Sequence, residues 1–284
     1  MIEARPSTTA QRVAMRRAAH QFLDVPKVFD DLLALRILGG KVAAELRSSI
    51  ADFQDSASRS LRAFVVARSR FAEQELAFAV ARGVSQYVIL GAGLDTFAYR
   101  NSYAESALRV FEVDYPATQS WKQGLLAEAG IAIPSSVTYV PVDFEHQTLA
   151  DGLAQAGFDS QKITFFSWLG VTPYLTRDSV MSTFAYIVST PAGGGVVFDY
   201  AVPRSSLNLI GRLAFDALAR RVAAAGEPFQ TFVDPHELAA ELHRIGFRQV
   251  EDMDAREINS RYFKNRADGL AVRGGLGHLA NARI

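Results

Sequence analysis

The chain of 284 residues contains no cysteine. Disulfides, thiolate metal sites, iron–sulfur clusters and a catalytic thiol are therefore excluded together. Excess charge is absent too, because Lys+Arg and Asp+Glu each total 30. No global field draws in DNA, RNA or an anionic membrane, so neither nucleic acid nor membrane is an expected partner. No stretch approaches the roughly 18 apolar residues of a membrane span. The opening MIEARPSTTAQRVAMRRAAHQFL is broken by charges and lacks the apolar core of a signal peptide, so the expected location is cytoplasmic. Histidine is scarce, with five residues. His20, His146, His236, His243 and His278 are scattered, and His236 and His243, seven apart on one expected helix, read as surface positions. No cluster has the spacing of a metal site, and no metal is expected. The oligomeric state is not written in the sequence.

What is present is an average globular composition, 49% hydrophobic and 21% charged. Residues 1–83 read as a helical cap. Apolar spacing predicts helices over 7–23, over 30–38 with the Gly39-Gly40 pair as a stop signal, and over 56–82. After Gly83 short β-rich runs alternate with helical ones: 87–90, 107–114, 137–144, 162–170 and 194–202. The intervening helices start near Thr96, Pro116, Thr148 and Thr176. Such alternation predicts an α/β fold, a doubly wound and mostly parallel sheet. Residues 205–225 interrupt the rhythm as one amphipathic helix. A further helix ending at Gly246 and the strand RQVEDMD follow, and the glycine-broken end LAVRGGLGHLANARI has no clear place. The expected organisation is one domain over 1–284: a cap (1–83), a ligand-binding core (84–203), a helical lid insertion (204–228) and the C-terminal part of the sheet (229–284).

The stretch YVILGAGLDTFAYR carries the chemistry. In open α/β sheets ligands bind beyond the carboxyl ends of the strands, next to the first strand. Gly91-Ala92-Gly93 follows that strand and lets the backbone approach a ligand. Asp114, 21 residues beyond Gly93 at the next strand end, suits ribose hydroxyls, with Glu112 as its rival. A dinucleotide fits poorly, because the third glycine of G-x-G-x-x-G is missing. Asp95 also stands where a pyrophosphate would seek the positive end of a helix. S-adenosylmethionine has the same adenosine, no phosphate, and two cationic groups. The loop therefore reads better for that cofactor, although a plain turn with Asp95 as a helix cap remains open. Asp143, ending the third strand, could accept from the adenine amino group beside the Phe144 backbone.

LGAGLDTFAYR, FEVDYPATQSWKQ and VPVDF, with RRAAHQFLDVPKVFDDLLALRILG upstream and RYFKNRADGLAVRGG downstream, resemble the leucine carboxyl methyltransferase family, in its bacterial O-methyltransferase branch that includes polyketide enzymes. The resemblance spans nearly the whole chain. It implies a Rossmann-like class I methyltransferase fold with a seven-stranded sheet, and S-adenosyl-L-methionine as cofactor. It places Gly91, with Ala92 and Gly93, against the amino-acid portion of that cofactor. Asp114 falls at ribose, Asp143 and Phe144 at adenine, and Arg68 at the cofactor carboxylate, with Arg17 as a second basic contact. After the fourth strand the family's Glu-Gly-Leu is replaced: the chain reads Trp168-Leu169-Gly170-Val171, so Leu169 stands where a glutamate would touch the cofactor. A second departure is Asp31-Leu32 in place of Asp-Pro.

The resemblance implies O-methyl transfer to a carboxylate or hydroxyl of a small-molecule acceptor. A carboxylate needs no general base, whereas an alcohol or phenol does. Asp199 and Tyr200 are the candidates for that role. The acceptor pocket is expected around Trp168, Tyr174 and Tyr200, covered by the cap and by helix 205–225. Two other readings stay open: a cofactor-binding protein without turnover, and an NAD-dependent oxidoreductase, for which no Tyr-x-x-x-Lys or His pairing is found.

Overall fold

A computed structural model describes residues 7–103, 108–143, 147–224, 226 and 228–284. Its centre is a seven-stranded sheet in the order β3-β2-β1-β4-β5-β7-β6. The strands are β1 (Gln86–Leu90), β2 (Arg109–Asp114), β3 (Val137–Pro141), β4 (Thr164–Trp168), β5 (Gly195–Ala201), β6 (Gln249–Met253) and β7 (Gly277–Arg283). The first five pair in parallel. β7 runs antiparallel to both β5 and β6. The unplaced glycine-broken end of the sequence is thus an interior strand. Its LANA core, small and uncharged, is buried, which suits a strand covered on both faces.

The helices are α1 (Thr8–Leu23), α2 (Gly39–Ser48), α3 (Ser56–Ala81), α4 (Pro116–Glu128), α5 (Leu149–Gln155), α6 (Arg177–Val188), α7 (Leu209–Ala224), α8 (Pro235–Ile245) and α9 (Ala255–Tyr262). Side-chain alternation sorts the strands onto two cores. Tyr87, Ile89, Phe165 and Val197 pack with α3 and α9 on one face. Val88, Leu90, Phe166, Phe198 and Tyr200 pack with α5, α6 and α8 on the other. A third core joins α1, α2 and α4 around Leu38, Leu46 and Leu126.

Three expectations change. Gly39-Gly40 starts a helix instead of stopping one, since Glu128 Oε1 accepts from the Gly40 amide at 3.1 Å and caps α2 from outside. Residues 32–38 form turns and one short 3₁₀ segment, Arg36–Leu38. The helix expected at Thr96 is a single 3₁₀ turn, Phe97–Tyr99. There Asp95 Oδ1 takes the Phe97 amide at 2.8 Å and competes with helix propagation. The helix expected over 205–225 divides into a 3₁₀ turn, Arg204–Ser206, and α7.

The cap is tied by buried charge. Arg62 grips Asp24 through Nε at 2.7 Å and Nη2 at 2.9 Å. His20 Nε2 accepts from the Val28 and Phe29 amides, so Nδ1 carries the proton and donates it to Asp24 at 2.7 Å. α3 is anchored further along by Glu75, which accepts from Asn281 (2.7 Å) and Arg283 (2.8 Å) on β7.

Candidate active site

The ends of β1, β2 and β4 open into a cavity of about 620 Å³ roofed by the start of α1. Its floor is the glycine turn. Val113 O accepts from the Gly91 amide (2.8 Å) and the Ala92 amide (3.1 Å), pinning the turn to the end of β2. Gly91 has φ +67°, and a Cβ there would overlap the Val171 methyl, so only glycine fits. Asp114 reinforces the turn: Oδ2 accepts from the Gly93 amide at 2.5 Å and Oδ1 from the Tyr115 amide at 2.7 Å. The same carboxylate stands on the cavity wall.

The same bonds test the choice between cofactors. A pyrophosphate nest needs outward-pointing amides at the turn. Here the Gly91 and Ala92 amides serve Val113, the Gly93 amide serves Asp114, the Asp95 amide serves Ala92 O (2.7 Å) and the Phe97 amide serves Asp95. With Asp95 and Asp114 also on the wall, the donor set suits a cationic, phosphate-free nucleoside.

Beneath the turn lies a polar foundation that sequence reasoning did not find. Asp31 is 1% exposed. Its Oδ2 accepts from Arg17 Nε and from Thr96 Oγ1, each at 2.7 Å. Burial pushes this carboxyl up, but the Arg17 and Arg100 guanidiniums and the Thr96 hydroxyl outweigh it and hold it below its ordinary value. Arg17 also donates to Leu94 O at 2.5 Å, and Arg100 pairs with Glu73. Burial raises Glu73, only partly offset by Arg100. These side-chain partners lie 14 (Arg17) to 69 (Arg100) residues from Asp31 in sequence, so no local signal could have joined them. Glu112, the rival to Asp114, points elsewhere and binds Lys122 Nζ at 2.8 Å inside the protein. Burial raises its carboxyl against the pull of Lys122.

Of the residues expected at the cofactor, Arg68, Gly91, Ala92, Gly93, Asp95, Asp114, Asp143, Trp168 and Leu169 all line this cavity, as does Arg17. Phe144, with His146, lies outside the described residues. Asp95 lies on the wall and its Oδ1 takes the Phe97 amide, but it caps no helix, since Thr96 is the N-cap of the short 3₁₀ turn. Unforeseen wall residues come from the cap: Thr9, Ala10 and Val13 of α1. Ala10 is small enough to sit against Gly93, where a Cβ would stand 3.1 Å from its own.

The acceptor side needs correction. Tyr174 lines the cavity, 5.2 Å from the Phe229 ring. Trp168 contributes wall, but its ring packs edge-on to Phe184 at 5.3 Å in the core. Tyr200 does not reach the cavity. Alternation along β5 turns it to the opposite face, where its hydroxyl donates to Asp252 at 2.8 Å near His278. Burial, with Asp252 beside it, raises that hydroxyl far above the ordinary tyrosine range, which is wrong for a base. Asp199 faces α3 and not the acceptor space. Its Oδ2 accepts from Arg68 Nη1 at 3.0 Å and its Oδ1 from the Gly170 amide at 2.5 Å. Neither residue is placed to take a proton from an acceptor.

Comparison with known proteins identifies the family. The family model described as leucine carboxyl methyltransferase matches residues 10–188. A Bacillus subtilis (strain 168) protein named "Putative S-adenosyl-L-methionine-dependent methyltransferase YktD" is 33% identical over 292 residues, covering 94% of each chain. A similarly named protein of Mycobacteroides abscessus is 34% identical over 190 residues, 66% of this chain and 62% of its own. Among solved structures, that of a "putative methyltransferase" from Thermobifida fusca superposes with a TM-score of 0.58 over 99% of this chain and 96% of its own at 17% identity, a likeness of fold. The chain belongs to the leucine carboxyl methyltransferase family.

Proposed function

We propose that the chain is an S-adenosylmethionine-dependent methyltransferase whose acceptor atom is oxygen, in a small apolar molecule bearing a carboxylate. Family membership supports the cofactor and the methyl transfer. The observation that carries the site is the glycine turn with its amides already satisfied and flanked by Asp95 and Asp114, which favours a phosphate-free cationic nucleoside over a dinucleotide. When bound, the cofactor supplies a methyl group on a sulfonium, so that a carbon–oxygen bond forms as the carbon–sulfur bond breaks. The residues of the chain bind, orient and exclude water. Asp114 and Asp143 are suited to hold adenosine, and Arg68 the amino-acid carboxylate. Such positioning supplies on the order of 7–11 kcal/mol in well-oriented cases.

The two displaced candidates favour a carboxylate acceptor. Asp199 is committed to Arg68 and Gly170, and Tyr200 to Asp252. A carboxylate is already ionised and needs neither. Leu169, Val171 and Tyr174 on the wall favour an apolar body behind that carboxylate. The test is single-turnover formation of S-adenosylhomocysteine with a panel of aromatic and aliphatic carboxylic acids, phenols and alcohols. Methyl esters from the acids are the expected product. Ethers from phenols alone would move the acceptor class, and binding of S-adenosylhomocysteine without turnover on any acceptor would leave a binding protein.

A further inference from the structure

The strongest unexplained feature beside the cavity is the buried pair between α3 and β5. Arg68 and Asp199 are 7% and 5% exposed. Each was expected to touch small molecules, yet they bind each other, at 3.0 Å. Asp199 also takes the amide of Gly170 at 2.5 Å, and its own carbonyl accepts from Thr172 Oγ1 at 2.6 Å. One residue of β5 thus fixes both the guanidinium on α3 and the segment 170–172 that follows β4. Gly170 makes room for this arrangement. With φ +74°, it lies under the guanidinium, where a Cβ would stand 2.7 Å from Arg68 Nη2. Arg68 and Gly170 line the cavity, and Asp199 sits behind them, off its wall.

We propose that Asp199 is a positioning residue. It orients the Arg68 guanidinium toward the amino-acid end of the cofactor and holds the 170–172 segment against it. The inference rests on the cofactor reading above, and it goes further by assigning the residue that sets affinity for one end of the ligand. An arginine presents five N–H donors in a rigid plane. Anchoring one edge of that plane on Asp199 fixes the direction of the rest. Charge-assisted bonds of this kind are strong and geometrically demanding. The arrangement places the carboxylate behind the arginine and off the ligand surface, so it lends direction without repelling an incoming carboxylate at contact distance.

The test is calorimetric titration of the full chain with two probes. S-adenosylhomocysteine carries the amino-acid end, and 5′-methylthioadenosine lacks it. Wild type must bind S-adenosylhomocysteine, or the cofactor reading itself fails before any variant is compared. Asp199→Asn keeps an acceptor for the Gly170 amide and removes the charge facing Arg68. It should weaken S-adenosylhomocysteine about tenfold or more and leave 5′-methylthioadenosine within about twofold. Gly170→Ala, which crowds the guanidinium and leaves the Asp199 carboxylate in the chain, should show the same one-sided loss and serves if the first variant does not fold. Equal loss of both probes would reduce Asp199 to general scaffolding, and undiminished S-adenosylhomocysteine binding would overturn the proposal.

Discussion

The two sides of the cavity are held in different ways. On the strand-end side, the turn after β1, Asp114 and the Asp31 network form a continuous set of short hydrogen bonds around buried charge. On the lid side, residues 230–231 are stitched to 173–175, with the Gln230 amide on Pro173 O at 2.7 Å and Thr231 Oγ1 on Leu175 O at 2.5 Å. Beyond them α7 buries only Val222 of its described residues and leaves Leu209, Ile210 and Leu213 largely exposed. Polar bonds have direction and fix geometry before a ligand arrives. Apolar contact is tolerant of shape. The first side is fixed by directional bonds, and the second leaves apolar side chains of α7 exposed.

The largest expected effect falls on the strand-end side. Asp114→Ala removes both an expected ribose acceptor and the partner of the Gly93 amide. It should weaken S-adenosylhomocysteine about a hundredfold or more by calorimetry; retained affinity would break the contrast between the two sides. Next, Gly91→Ala forces a methyl into Val171 at a positive φ and should cost about 1–3 kcal/mol. At about 2–4 °C per kcal/mol, thermal unfolding would read that as a clear loss. Adding Val171→Ala should return the steric part, and no recovery would show that backbone strain dominates.

The third prediction concerns the cap that carries the roof of this side. Burial pushes Asp24 up, but the His20 and Arg62 hydrogen bonds and the Arg62 charge win, and its carboxyl lies at about 2 against 3.8. A depressed folded value means stability present above about pH 4 and lost as pH falls toward 2. The size is on the order of 2 kcal/mol. Urea unfolding from pH 5 to pH 2 should show that decline, and Asp24→Asn should flatten it while lowering stability at neutral pH. The smallest effect belongs to the lid side. Ile210→Gln or Leu213→Gln should change stability by no more than about 0.5 kcal/mol and leave S-adenosylhomocysteine affinity intact. A larger shift would reveal that the exposed stripe is engaged.

Legibility in the sequence follows the same division. Gly91, Asp95, Asp114 and Asp143 are contiguous with strand ends, so short motifs reveal them and the sheet brings them together without further information. α3 and α8 were legible because helical spacing and a terminal glycine suffice. Asp31 and Arg100 could not be read, since their meeting depends on how the cap docks. Tyr200 and Asp199 are adjacent in sequence and point to opposite faces. Judging which face meets the cavity requires the register of β5 against β4, where Trp168 lies opposite Phe198. β7 was missed because small residues and glycines mimic a loop, and α9 because its apolar face is a single buried residue, Ile258.

The position of β7 has a consequence for how the molecule is assembled in time. β6 has one neighbour in the sheet, and that neighbour is β7. As the chain leaves the ribosome, residues 249–253 emerge with no strand to join, while β5 presents an open edge beside Asp199. Both wait for residues 277–283, which must enter between strands already synthesised. Until then the edge that backs the Arg68 anchor is available to any other extended chain. A nascent form stalled before residue 277 is therefore the species most exposed to edge-to-edge aggregation.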